Sequence, residues 1–280
     1  MDNKVKRKRL WIWLALATGL LVAALLVGPG QEKEPIKLMM RDAVLHEENK
    51  INLFGLIRVN PALVSAFTVT GMLLFLALSV RLFLVPRMKR VPERVQLVIE
   101  EAVAFFEDLA KVNSPHRNRF LAVYIFVAGC YIFVGTCMEL FGLQATSTGG
   151  VILALPAPLS DINGAISMGI MSYLIILSGG IVANGFGGIK KTLKEFSLPI
   201  SMSFRLFGAL LSGLLVTELV YYTISLSIVL PVLVAVLFTL LHALIQSYVL
   251  TMLTAVFYGE VTEPSEKENH TDNVPMEERL

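Results

Sequence analysis

The sequence predicts an all-α integral membrane protein with five to six transmembrane helices, a long antiparallel C-terminal hairpin and one cytoplasmic amphipathic helix. Three observations carry this expectation. The 280 residues are 55% hydrophobic and only 16% charged, whereas about a quarter of a soluble domain is charged. The apolar residues gather into tracts of membrane-spanning length. Lysine and arginine alternate in abundance from one inter-tract segment to the next.

Taken in order, MDNKVKRKR followed by the apolar run 10–28 has a basic head and an apolar core, the form of a signal or anchor helix. GPGQ after it lacks a small-x-small cleavage site, which favours an uncleaved anchor. Residues 29–61 form a polar extracytoplasmic segment ending in Asn60-Pro61. Apolar tracts follow at 62–85, 120–143 and 162–186, then a long one from 198 to about 258. The last holds two helices, with Ser225, Ser227 and Pro231 marking the bend. Residues 62–258 thus form the membrane domain, and 259–280 a polar cytoplasmic tail.

Between the first two of those tracts, 87–111 carries apolar residues at 95, 98, 99, 102, 103, 105 and 106 with acids between them. That spacing predicts an amphipathic helix on the membrane surface. With the N-terminus cytoplasmic and six spans, the inner segments hold 17 basic residues and the outer ones 5. The rule that basic residues stay inside selects this topology, and the expected setting is a bacterial plasma (inner) membrane.

Several function classes are excluded. A net charge of +2 does not suggest nucleic acid. No phosphate loop, dinucleotide fingerprint or metal-spaced cluster is present, so neither a small-molecule cofactor nor self-contained catalysis is expected. Cys130 and Cys137 lie about 10 Å apart along one helix, beyond disulfide reach. Small residues at four-residue spacing, Ala165 with Gly169 and Gly208 with Ser212, suit close helix packing.

What remains is a handful of ionisable groups within the apolar tracts: Glu139, Arg205, Glu218 and His242, with Asp161 at a helix start. Arg205 is the sharpest. An arginine at bilayer depth costs from about 3 to more than 10 kcal/mol, and a guanidinium does not escape by losing its proton. Glu218 stands about 20 Å along the same helix and cannot be its partner. Counted from the bend, Gln246 lies within about 8 Å of the depth of Arg205, and His242 about one turn from Glu218. Thr239, His242 and Gln246 share a helix face. These counts predict a polar seam, Glu218 with His242 outside and Arg205 with Gln246 deeper. No carboxylate on the hairpin reaches the depth of Arg205, so its anion is expected from another subunit.

The stretches SMSFRLFGALLSG (201–213) and HALIQSYVLTMLTAVFYG (242–259) resemble the a subunit of F-type ATP synthases. PLSDIN (158–163) is similar to its D-[IVL]-N segment. The likeness spans roughly 62–259. It implies a stator ion channel of the CF(0) sector that works beside a rotating c-subunit ring and is held by b-type peripheral-stalk subunits in membrane lipid. Arg205 would face the ring carboxylates and separate two half-channels for protons or Na+. In the family an asparagine follows RLFG, and Glu or His occupies the positions of Leu214 and Thr239; this chain has Ala209, Leu214 and Thr239. Glu218 and His242, each about one helical turn away, are the expected replacements. Glu139 in CMELFGL, with Asp161 and Asn163, is expected at the channel mouth. The competing reading is a secondary transporter or channel with its own substrate site at the arginine, for which internal repeats or a broken helix would speak. A structural membrane anchor would have no use for these charges.

Overall fold

The computed structural model describes residues 11, 15, 18–19, 51–53, 57–141, 143–146, 152–222 and 230–264. At some of these, Glu218 among them, only the backbone is described. The elements are a short hairpin β1 (Ile51–Leu53) and β2 (Ile57–Val59), then helices α1 (Pro61–Ser79), α2 (Arg94–Asn113) and α3 (Asn118–Phe141). A second hairpin, β3 (Gln144–Thr146) and β4 (Ile152–Ala154), leads to α4 (Ile162–Lys194), α5 (Ser197–Tyr222) and α6 (Leu230–Thr262). Both hairpins are antiparallel, with Ile51 opposite Val59 and Gln144 opposite Ala154.

Four described helices are long and apolar enough to cross a membrane: Pro61–Arg87, Asn118–Phe141, Ile162–Lys194 and Val236–Thr262. The protein is an integral membrane protein. The expected anchor helix falls almost wholly outside the described residues, although Trp11, Ala15, Thr18 and Gly19 are helical. Most of 29–61, the bend at Ser225 and Ser227, and most of the tail also lie outside them.

Local chemistry sets the helix ends. Asn60 caps α1: its side-chain oxygen accepts the Ala62 amide at 3.1 Å, one of the orphan donors of a first turn. At the far end the helix widens through Val80–Leu84 and tightens through Val85–Arg87. Pro86 brings no amide to the ladder there. In α6, Pro231 is the second helical residue, where a missing amide costs nothing.

Two expectations change. The tract read as 162–186 is continued by helix to Lys194, into the segment 187–197 that the six-span topology would keep inside. At Gly185 (φ 54°, ψ −128°) the chain turns in a conformation that favours glycine and folds back as helix to Lys194. A Cβ on Gly188 would collide with the Gly180 carbonyl, and the Tyr173 hydroxyl donates to Thr192 O at 3.1 Å. The second change concerns the tail, because α6 runs past residue 258 to Thr262. Asn184 donates to the carbonyls of Val261 and Glu263 at 2.8 and 2.9 Å, satisfying groups left open at a helix end.

The amphipathic helix forms, but starts at Arg94. Its inward stripe is Gln96, Ile99, Val103, Phe106 and Ala110, while Val95, Val98, Ala102 and Phe105 stay exposed. Gln96 is buried because its amide clamps the preceding turn, accepting from Lys89 N and donating to Lys89 O.

The chain divides into two compact units. One, built from 70–133, 162–205 and 246 onward, has a core of Leu121, Ile125, Ile176, Met202, Ala255 and Tyr258, with Phe106 packed against it. Its polar side chains are satisfied internally: Tyr124 with Ser172 at 2.8 Å, Ser247 to Gly129 O at 2.9 Å, Ser114 with Thr262 at 3.2 Å. The other unit comprises the chain up to 69, 134–161 and 206–245. There Val69, Thr136, Met138 and Ala157 are buried, and Gly135 lies against Pro158.

Candidate functional site

The arginine is positioned by α5, a single helix of 26 residues and about 39 Å. Pro199 sits in its first turn, so the helix is uninterrupted across Arg205. Met202, Ser203, Leu206 and Leu210 are buried, while Ser201, Arg205, Gly208 and Ser212 are exposed. The period is helical, and it divides α5 into a packed face and an open one. On the packed face, a Cβ at Gly169 of α4 would collide with Ser203 Oγ, so close approach there requires glycine. Ser203 satisfies its own hydroxyl on Pro199 O at 2.7 Å.

On the open face, no described residue lies within 4 Å of where a Cβ of Gly208 would stand. The two small-residue pairs therefore serve differently. Ala165 and Gly169 are buried in packing, whereas Gly208 and Ser212 flank the arginine on an exposed stripe. Arg205 makes no hydrogen bond or ion pair with another described residue.

Gln246, the expected companion of Arg205, is buried at 7% exposure and is not hydrogen-bonded to it among the described residues. The depth count anticipated a pairing that side-chain direction does not produce. Thr239 and Gln246 are buried and His242 half-buried on one face of α6, as their spacing required. That face continues through Ala243, Leu250, Thr254 and Ala255.

His242 is held by its own helix. Its Nδ1 lies 2.8 Å from the Phe238 carbonyl, which can only accept, so Nδ1 carries the hydrogen. Nε2 is then the nitrogen available to take or give a proton. The ring lies beside Phe238, centroids 5.8 Å apart, and faces Gly213 of α5, whose Cβ would lie 3.7 Å from Nδ1. Glu218 is in α5, about one turn before its end, and its side chain lies outside what is described.

Near the end of α3, half-buried Glu139 accepts a long hydrogen bond of 3.4 Å from the Ala157 amide. Asp161 accepts from Asn60 Nδ2 at 2.9 Å. The same amide side chain that caps α1 therefore also ties that helix to the start of α4. Asn163 is exposed one residue into α4. Of the expected mouth residues, Glu139 and Asp161 fall in one compact unit, whereas Asn163 belongs to the other. Asn60 was legible in the sequence only as a turn; an asparagine before proline is a cap signal, but its partner 101 residues away is not. Among the described residues, no group of three His, Cys, Asp or Glu side chains is placed to hold a metal.

The sequence model of the ATP synthase A chain family matches residues 63–259. Curated relatives include ATP synthase subunit a of Actinobacillus pleuropneumoniae serotype 3 (strain JL03) and serotype 7 (strain AP76), each 26% identical over 154 residues. Each alignment covers 46% of this chain and 59% of the relative. The chain thus spans about three fifths of the length of the curated relatives it matches. Arg205 on its open stripe, His242 and Gln246 all lie inside the matched range, which takes in every helix from α2 to α5 and nearly all of α1 and α6. The chain belongs to the ATP synthase A chain family.

Proposed function

We propose that this chain is the stator ion-channel subunit of a rotary F-type ATP synthase, not catalytic by itself, which passes protons or Na+ to and from a ring of c subunits. The observation that carries the reading is Arg205, exposed on an apolar helix within a stripe of small residues. A permanent cation there is stable against lipid only with an anion or water beside it. Ser201, Gly208 and Ser212 leave room for a partner helix to approach closely. A carboxylate on that helix supplies the missing charge.

The mechanism follows from electrostatics. As a ring carboxylate reaches Arg205, the cation favours its deprotonated form and the bound ion is released. As the carboxylate moves on, it leaves the cation and takes up an ion from the other half-channel before meeting lipid. The fixed charge also repels ions that would pass directly between the half-channels. Glu218 and His242 are the relay groups of the outer half-channel in this reading, on an antiparallel α5–α6 hairpin. His242 Nε2 is the exchanging atom. Gln246 lines the seam nearby, and Glu139, Asp161 and Asn163 stand at the outer mouth. The complex sits in a bacterial inner membrane with b-type stalk subunits beside this chain and the C-terminal tail cytoplasmic.

Arg205→Ala tests the reading in membranes energised from outside. Coupled ATP synthesis and ATP-driven pumping are expected to fall at least tenfold while the complex assembles. Full coupled activity in that variant would refute the proposal. Mild detergent extraction gives an independent check, since a lone homo-oligomer without a ring of small hairpin proteins points to a transporter instead.

A further inference from the structure

A second polar site lies away from Arg205, on the compact unit that contains α2. Between the second half of α2 and the start of α3 is a cavity of about 410 Å³. Its wall has two chemistries. Lys111, Asn118 and Arg119 form one end, together with Glu107. Val103, Ala122, Val123 and Phe126 form the other. Arg119 is exposed and makes no ion pair with another described residue. Lys111 is shared between Glu107 and Asp108, each at 3.4 Å, on an exposed surface where such contacts are weak and exchangeable.

The surroundings extend this division. Beside the wall residues of α3, Phe120, Val123 and Val127 are 57% to 61% exposed. They continue the lipid-facing surface of a membrane-spanning helix. Beyond the polar end comes the basic connection His116-Arg117-Asn118-Arg119. A cavity at this level, cationic at one end and apolar at the other, matches an amphiphile whose anion sits at the membrane surface and whose chains run along a helix.

We infer that this cavity binds an anionic phospholipid of the surrounding membrane. Arg119, with Lys111 and Asn118, receives the phosphate, and the acyl chains lie along Val123 and Phe126. Glu107 and Asp108 leave Lys111 with little net charge, so Arg119 is the main cation and Lys111 supports it. The site does not depend on the ion-channel reading.

The test uses the assembled complex in bilayers containing photoreactive phosphatidylglycerol or photoreactive phosphatidylcholine, with cross-linked peptides mapped by mass spectrometry. Phosphatidylglycerol is expected to label the peptides spanning 103–126 several-fold more than phosphatidylcholine. Excess inorganic phosphate should not compete, because the acyl chains supply part of the binding. One basic side chain near an anionic surface is worth roughly fivefold in binding, so Arg119→Gln should lower the preference by about that factor, and high salt should weaken it. Val123→Trp fills the apolar end without touching a charge and should abolish labelling by itself. Equal labelling by the two lipids would overturn the inference, as would a preference unchanged in both variants. Displacement by inorganic phosphate alone, or cross-linking at this position to another protein subunit, would overturn it equally.

Discussion

Arg205 and the cluster around Asn60 and Asp161 show two opposite ways of keeping polar groups in an apolar protein. Asp161 is tied at 2.9 Å to Asn60, whose other amide atom caps α1, and Glu139 takes the Ala157 amide. Those groups have partners inside the chain. Arg205, whose permanent charge is costly in lipid, stands exposed among Ser201, Gly208 and Ser212. The difference separates polar groups tied within the chain from a cation with no partner among the described residues, the contrast on which the proposed role of Arg205 rests. His242 lies between these cases, half-buried with Nδ1 committed to Phe238 of its own helix.

The contrast breaks most sharply at the arginine. Arg205→Ala removes function at least tenfold and leaves assembly alone, since the open face supports no packing; loss of the assembled complex would mean that Arg205 is structural after all. Next come Glu218→Leu and His242→Leu, each expected to slow ion-driven ATP synthesis several-fold in complexes that still assemble. Wild-type rates in both would remove them from the relay.

Substitutions on the internal side should act on stability instead. Gly188→Val drives a side chain into the Gly180 backbone, and overpacking of this kind costs about 1–3 kcal/mol. A lowered unfolding midpoint with reduced assembly is the expected readout, and an unchanged midpoint would show that the turn at Gly185 can spread. The smallest effect is at the tie itself. A double-mutant cycle of Asn60→Ala and Asp161→Ala should give a coupling of about 1 kcal/mol, the usual worth of one such bond. Additivity of the two changes would mean that the bond contributes nothing, and the comparison with Arg205 would lose its internal half.

How much was legible in the sequence depended on the range of the interaction. Apolar tracts and their ends were, because burial in lipid is imposed residue by residue; α1, α3 and α6 closely follow the tracts read for them. The amphipathic helix was too, although its inward stripe was not. Val95, Val98, Ala102 and Phe105 were read with Ile99, Val103 and Phe106 as one apolar face and stay exposed, while Gln96 is buried because it clamps the turn at Lys89. The reversal at Gly185 was hidden inside a glycine-rich stretch. A single φ there turns what would be a loop into a helical arm, and no local pattern announces it.

By itself the sequence determined the class of protein, the position of most of its described helices and the arginine whose charge is out of place among apolar residues. Each of these follows from the cost of placing polar groups in an apolar medium, and that cost belongs to single residues and short segments. Tertiary structure alone decided direction. It turned Gln246 inward and Arg205 outward, although depth counting had paired them. It put one small-residue pair into packing and left the other beside the arginine. It also joined Asn60 to Asp161 across 101 residues. Side-chain direction depends on which face of a helix its neighbours cover, and that is settled only when the helices meet.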